Sequence, residues 1–134
     1  MSDNYSLIIK NGSCFINGKL EKIDIALSGN KIKKIGKIEL NSSKVFDATD
    51  KLVLPGIIDT QVHFREPGST DREDLESGSR AAVLGGITSV FEMPNTNPPT
   101  SNLIEFDKKL NLAKDRMHCN CLLYTSDAAD EEDS

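Results

Sequence analysis

The chain has 134 residues, with 16 basic and 21 acidic side chains and a formal net charge of −5. Five of the acids, Asp127, Asp130, Glu131, Glu132 and Asp133, sit at the C-terminal end; without them 16 acids face 16 bases, so the body is neutral and offers no basic surface for nucleic acid or an anionic membrane. Three scattered cysteines, Cys14, Cys119 and Cys121, make no disulfide framework, and no stretch has the length of a membrane span or the layout of a secretion signal. A reduced cytoplasm is the expected compartment.

Residues 5–50 read as a small β unit. Leu7 to Lys10 is apolar and ends at Asn11-Gly12, and Cys14 to Ile16 is followed by Asn17-Gly18, a tight-turn pair. Ile23 to Leu27 leads to Ser28-Gly29-Asn30, and Lys31 to Ile38 alternates lysine with isoleucine, which suits a strand with one wet face.

The run from Val53 to Ile58 reads as a buried strand whose C-terminal end turns polar at alternate positions, Asp59, Gln61, His63 and Arg65. Strand side chains repeat every two residues, so the alternation predicts that these four share one side. Polar groups gathered there cost desolvation energy unless something pairs with them, and a metal ion and an anionic substrate would do so.

Thr70-Asp-Arg-Glu73 then has the spacing of a capping box and predicts a helix over 71–84, with Leu75, Ser79, Ala82 and Val83 as its inner stripe and Gly85-Gly86 as its stop. Ile87 to Met93 is a second strand, followed by a turn-rich loop from Asn95 to Pro99. Thr100 or Ser101 caps a helix to about Arg116, with Leu103, Phe106, Leu110 and Ala113 at helical spacing. Strand–helix–strand–helix order favours parallel pairing with right-handed crossover. Cys119 and Cys121 have the spacing of two side chains on one strand face, and two thiolates would be half a zinc site at best.

Two motifs carry a resemblance. Asp59-Thr-Gln61-Val-His63-Phe-Arg65-Glu-Pro67-Gly68 is similar to the Asp-x-His-x-His-x-Arg segment that ends the first barrel strand in the amidohydrolase superfamily, and within it in the dihydroorotases. Gly85-Gly-Ile-Thr-Ser-Val-Phe-Glu-Met-Pro-Asn-Thr-Asn-Pro98 resembles the second strand of those enzymes, with its Met-Pro-Asn-Thr ending. The resemblance runs from about Leu7 to Asn120, and two ordered motifs are more specific than either alone.

The resemblance implies an α/β fold: residues 1–52 as part of a β-sandwich subdomain, and 53–120 as the first two strand–helix units of a TIM barrel. Such a barrel takes about 250 residues, so the chain is expected to be an N-terminal fragment with the barrel incomplete. Residues 121–134 depart from the family's third strand and read as an acidic, non-native read-through; the alternative is a genuine acidic terminus.

The implied reaction is the reversible closure of N-carbamoyl-L-aspartate to dihydroorotate in pyrimidine synthesis. In the family, a hydroxide held by one or two divalent ions, Zn²⁺ here, attacks the ring amide while an aspartate on the eighth strand moves the proton. His63 matches a metal ligand. Gln61 stands where the family has its first ligating histidine, and a neutral carboxamide is a weaker ligand; a site with fewer strong ligands, a degraded site, and a glutamine bonded to backbone all remain open. Asp59 matches an acid that orients a ligand or nearby backbone. Arg65 and Asn95 match the pair that holds the substrate carboxylate, for which an arginine fork is suited. Glu73 is assigned to capping, Glu66 to an exposed loop, and Glu92 to the side opposite Asn95, so no catalytic residue is expected within these residues and the isolated chain is expected to be inactive. The small-molecule substrate is the expected partner; the parent is expected as a homo-oligomer or in association with aspartate carbamoyltransferase. The rivals are an allantoinase or hydantoinase-type cyclic amidohydrolase, and a non-catalytic subunit, which Gln61 keeps alive.

Overall fold

The computed structural model describes residues 5–39 and 44–126. The chain divides into two compact units, Met1–Pro55 and Gly56–Ser134, a few residues later than the boundary read from sequence.

The first unit holds two sheets. One has the order β5-β4-β1-β6, from Leu7–Lys10 (β1), Asp24–Ser28 (β4), Lys31–Gly36 (β5) and Val45–Asp47 (β6). The other has the order β3-β2-β7, from Ser13–Ile16 (β2), Lys19–Lys22 (β3) and Leu52–Val53 (β7). Asn17 and Gly18 join β2 to β3 with φ of 50° and 81°, the left-handed pair that a two-residue hairpin favours. Tyr5, Ile8, Ala26 and Ile38 form the buried cluster of this unit. The lysine–isoleucine alternation of β5 does not yield a dry face: Ile32 and Ile35 are 59% and 45% exposed, on a strand at the edge of its sheet.

The second unit is a parallel three-stranded sheet of order β10-β9-β8, built from Ile57–Val62 (β8), Ile87–Glu92 (β9) and Asn120–Leu123 (β10). Helix Leu75–Leu84 (α1) connects β8 to β9, and helix Leu103–Ala113 (α2) connects β9 to β10. Phe64, Leu75 and Val90 are its buried centre, with Val62, Ala82, Ile87, Leu112, Ala113, Met117, Cys119 and Cys121 packed around them.

Four sequence expectations change here. The apolar run 53–58 is split, because Val53 pairs with Cys14 in the first unit whereas β8 begins at Ile57. Pro55 has no N–H to continue a ladder. Ile57 and Ile58, expected to be buried, are 56% and 57% exposed, since β8 is an edge strand paired only with β9. The helix over 71–84 starts later: Asp74 is the cap, its side chain accepting from Ser77 N at 2.7 Å while Ser77 Oγ accepts from Asp74 N at 3.2 Å. The second helix is capped by Asn102, which accepts from Glu105 N at 3.0 Å, and it buries Lys109 while Leu103 and Leu110 stay 78% and 51% exposed.

The segment assigned to a tail from Cys121 onward continues as structure. β10 pairs with β9 from Asn120 to Leu123, Tyr124 N donates to Glu92 O at 3.0 Å, and the Tyr124 ring meets Phe91 edge-on at 6.0 Å. Residues 127–134, with the acidic cluster, lie outside the described residues.

Gly78 fixes how α1 sits on the sheet. A Cβ there would lie 2.7 Å from Phe64 Cε1, a distance that packed atoms do not tolerate. Gly78→Ala is therefore expected to push Phe64 out of place and cost roughly 1–3 kcal/mol, read as a lowered denaturation midpoint; an unchanged midpoint would show that the helix slides freely.

Candidate functional site

The residues singled out from the sequence lie on β8 (Asp59, Gln61), just past its end (His63, Arg65) and just past the end of β9 (Asn95). After β8, buried and exposed positions alternate: Phe64 and Glu66 are 5% and 6% exposed, while His63 and Arg65 face solvent. His63 and Arg65 thus share one side, away from the core. Upstream the alternation is irregular, because Asp59 pairs with Val90 and Val62 with Glu92, leaving Thr60 and Gln61 opposite Phe91 alone. Such a bulge re-aims side chains, so Asp59 and Gln61 do not follow simple strand periodicity.

The structure brings His63 and Asn95 together: His63 Nδ1 lies 2.8 Å from Asn95 Oδ1, across the ends of the two strands. Asp59 Oδ1 accepts from Gln61 N at 3.0 Å, so this carboxylate orients backbone. Neither the Arg65 guanidinium nor the Gln61 carboxamide has a hydrogen bond or ion pair among the described residues. Also among the described residues, no three His, Cys, Asp or Glu side chains converge to hold a metal ion. His63 alone is a strong ligand for zinc, and the donors present do not make a site for a divalent ion by themselves.

Two carboxylates assigned from sequence to passive positions turn out to organise this region. Glu66, expected in an exposed loop, is buried and takes the Arg116 guanidinium with both oxygens, at 2.9 and 3.0 Å. Its Oε2 also accepts from Leu75 N, the first residue of α1, at 2.9 Å. Glu92 is fully buried; Oε1 meets Lys109 Nζ at 2.7 Å and Oε2 accepts from Phe64 N at 3.0 Å. Lys109 Nζ further donates to Met93 O at 3.3 Å. Glu92 and Asn95 do have opposite surroundings, one buried and one exposed. The sequence signal for Glu92 was an acid inside an apolar strand, which implies a buried cation somewhere; nothing in helical spacing marked Lys109 as that cation.

Cys119 and Cys121 pack against the core, and burial raises both thiols, Cys121 to about 11 with further help from Glu92 and Cys119. Burial favours the neutral thiols, which pack there as small hydrophobes.

The two organising carboxylates respond to pH with opposite sign. Burial works against Glu66 ionisation, but the Arg116 hydrogen bonds and the Leu75 N–H outweigh it and hold the carboxyl below the usual glutamate range. Its contribution to stability is present above about pH 4.3, the unfolded value, and is lost as pH falls through the depressed folded value. Burial pushes Glu92 up in spite of Lys109 and Phe64 N–H, so its contribution is fully present below about pH 4.3 and declines as pH rises through the raised folded value. Acidification from about pH 5 to about pH 3 is expected to lower the melting temperature of the chain, and Glu66→Gln is expected to flatten that fall. Equal slopes for the two proteins would remove Glu66 as the acid-sensitive group.

Residues 52–131 match the Amidohydrolase family. The chain is 47% identical over 113 residues to a dihydroorotase of Lactobacillus acidophilus, covering 83% of this chain and 26% of that protein. It is 48% identical over 101 residues to a dihydroorotase of Caldicellulosiruptor saccharolyticus, covering 72% and 24% respectively. The chain thus spans about a quarter of the length of these curated relatives. Among solved structures, the L-hydantoinase (dihydropyrimidinase) from Arthrobacter aurescens superposes with a TM-score of 0.80 at 31% identity, over 90% of this chain and 28% of that one. A D-hydantoinase from a Thermus species gives 0.72, also at 31%, over 89% and 27%. With more than half of its residues matched by the family and its site motif inside the matched region, the chain belongs to the amidohydrolase family.

Proposed function

We propose that this chain is the N-terminal part of a dihydroorotase, a cyclic-amide hydrolase that interconverts N-carbamoyl-L-aspartate and dihydroorotate, and that it is inactive alone. On this reading the parallel sheet is the opening arc of a (β/α)₈ barrel, and the two sheets of the first unit are part of a β-sandwich. The observation that carries the reading is the meeting of His63 and Asn95 at 2.8 Å, on a segment that also exposes the guanidinium of Arg65, which has no partner among the described residues.

The chemistry of that cluster suits a ring bearing a carboxylate. Arg65 offers two parallel N–H donors to a carboxylate. With Oδ1 of Asn95 turned to His63, its amide N–H₂ is left to donate to the same anion. His63 would give one ligand to a divalent ion, zinc by imidazole preference, with the other strong ligands and the proton-moving acid coming from residues beyond these 134. A second reading, a hydantoinase, is favoured by the likeness to the L-hydantoinase structure. Hydantoin carries no carboxylate, so that enzyme would leave Arg65 without its role.

A chimera separates the two. Residues 1–126 replace the matching segment of the Lactobacillus acidophilus dihydroorotase, and the product is assayed with dihydroorotate and with hydantoin. Hydrolysis of dihydroorotate is expected, and Arg65→Gln in the chimera is expected to raise KM for it by roughly 10- to 100-fold, the loss of hydrogen bonds to a charged group. Preference for hydantoin would overturn the assignment. The isolated chain is expected to show no dihydroorotate hydrolysis and no stoichiometric zinc uptake; turnover by residues 1–134 alone would sink the claim of inactivity.

A further inference from the structure

We propose that the buried Glu92–Lys109 ion pair is a positioning device that sets the His63–Asn95 contact from behind. The proposal rests on the reading of His63 and Asn95 as functional residues and extends it to two side chains that touch neither metal nor substrate.

The connections are short and converge on both partners. On one side, Glu92 Oε2 accepts from Phe64 N at 3.0 Å, which fixes the peptide immediately following His63. On the other, Lys109 Nζ, held by Glu92 Oε1 at 2.7 Å, donates to Met93 O at 3.3 Å, two residues before Asn95. Met93 N donates to Val62 O at 2.8 Å, and Thr100 N donates to Pro94 O at 2.8 Å. The backbone on each side of His63 and ahead of Asn95 is therefore tied to one carboxylate–ammonium pair, whose side chains are 0% and 1% exposed. His63 and Asn95 are themselves exposed, and an exposed hydrogen bond between two free side chains is worth little on its own. A persistent contact needs both backbones fixed. The pair is a poor choice for stability alone, because hydrophobic residues of similar volume commonly do as well or better in such a place. What a hydrophobic replacement cannot do is accept the Phe64 N–H.

The consequence for His63 is a defined tautomer. With Asn95 Oδ1 as acceptor, the contact needs the proton on Nδ1, and Nε2 is the ring nitrogen left out of it.

The test uses the whole 134-residue chain and reads ¹⁵N shifts of the His63 ring and exchange of the Phe64 amide. Glu92→Asp, with an arm too short to reach both Lys109 and Phe64, is expected to speed Phe64 amide exchange by about tenfold or more, the factor for one lost charge-assisted hydrogen bond. The same variant is expected to scramble the Nδ1–H signature of His63. Glu92→Gln combined with Lys109→Met keeps an acceptor for the Phe64 N–H without burying a lone charge but removes the donor to Met93 O, so Phe64 exchange is expected to stay slow while the His63 imidazole pattern is lost. A purely structural pair predicts lowered melting in both variants with the His63 pattern unmoved in both. The proposal is overturned if folded Glu92→Asp keeps the wild-type pattern, or if the double variant keeps it. Should both variants fail to fold, the unaltered chain decides: slow exchange of the Phe64 amide supports the proposal, and exchange at open-loop rates overturns it. No metal or substrate enters these readouts, so they pass or fail independently of the chimera assay.

Discussion

The candidate site depends on a reversal of the usual arrangement, in which charge is kept outside and apolar groups inside. Where β8 leaves the sheet, the inward positions are Phe64 and Glu66, and the inward end of β9 is Glu92. A carboxylate buried without partners costs several kcal/mol, so each must be answered by a cation and by backbone donors. Arg116 and Leu75 N–H answer Glu66; Lys109 and Phe64 N–H answer Glu92. Among the described residues no buried side-chain nitrogen or oxygen is left without a partner. Satisfying these two acids is what fixes the path of the backbone that presents His63 and Arg65.

The same two acids tie elements that are far apart in sequence. Glu66 and Arg116 are 50 residues apart, and their contact closes the β8–α1 loop against the end of α2. Glu66 also sits on the first N–H of α1, where unpaired amide donors and the helix dipole favour an anion. The loop is consequently a packed extension of the parallel sheet and not a free surface segment. Its geometry is then a matter of core satisfaction, while His63 and Arg65 stay on the exposed side.

Much of this arrangement could be read from the residues, and the failures have physical causes. Strands at Leu7–Lys10 and Ser13–Ile16, the Asn17-Gly18 hairpin and the β8–α1–β9–α2 order follow from local periodicity and turn chemistry, which act over a few residues. The His63–Asn95 meeting was not read from the sequence, where the resemblance set Asn95 beside Arg65, since periodicity carries no information on contacts 32 residues apart. Glu66 was misjudged because a glutamate before a proline has the composition of a loop, and its partner lies on another helix. Lys109 was invisible for a related reason: helical spacing selects apolar faces, and here the inward residue is charged while Leu103 and Leu110 face out. The strand at Asn120–Leu123 was missed because Cys, Leu and Leu beside an acidic run weigh little in composition, whereas a free parallel edge on β9 weighs heavily in the fold.

The opposite shifts of the two acids follow from how each is answered. Glu66 has a planar fork on both oxygens plus a helix-terminal N–H, and Arg116 remains partly open to water, so the ionised form is well satisfied and the proton is held weakly. Glu92 has one ammonium and one amide in a site closed to solvent, so burial dominates and the proton is held more tightly. The fork therefore serves as the robust anchor of the loop, and the enclosed pair serves as the more sensitive one. The enclosed pair lies under the peptide that follows His63, so that stretch of backbone is tied to a single buried carboxyl.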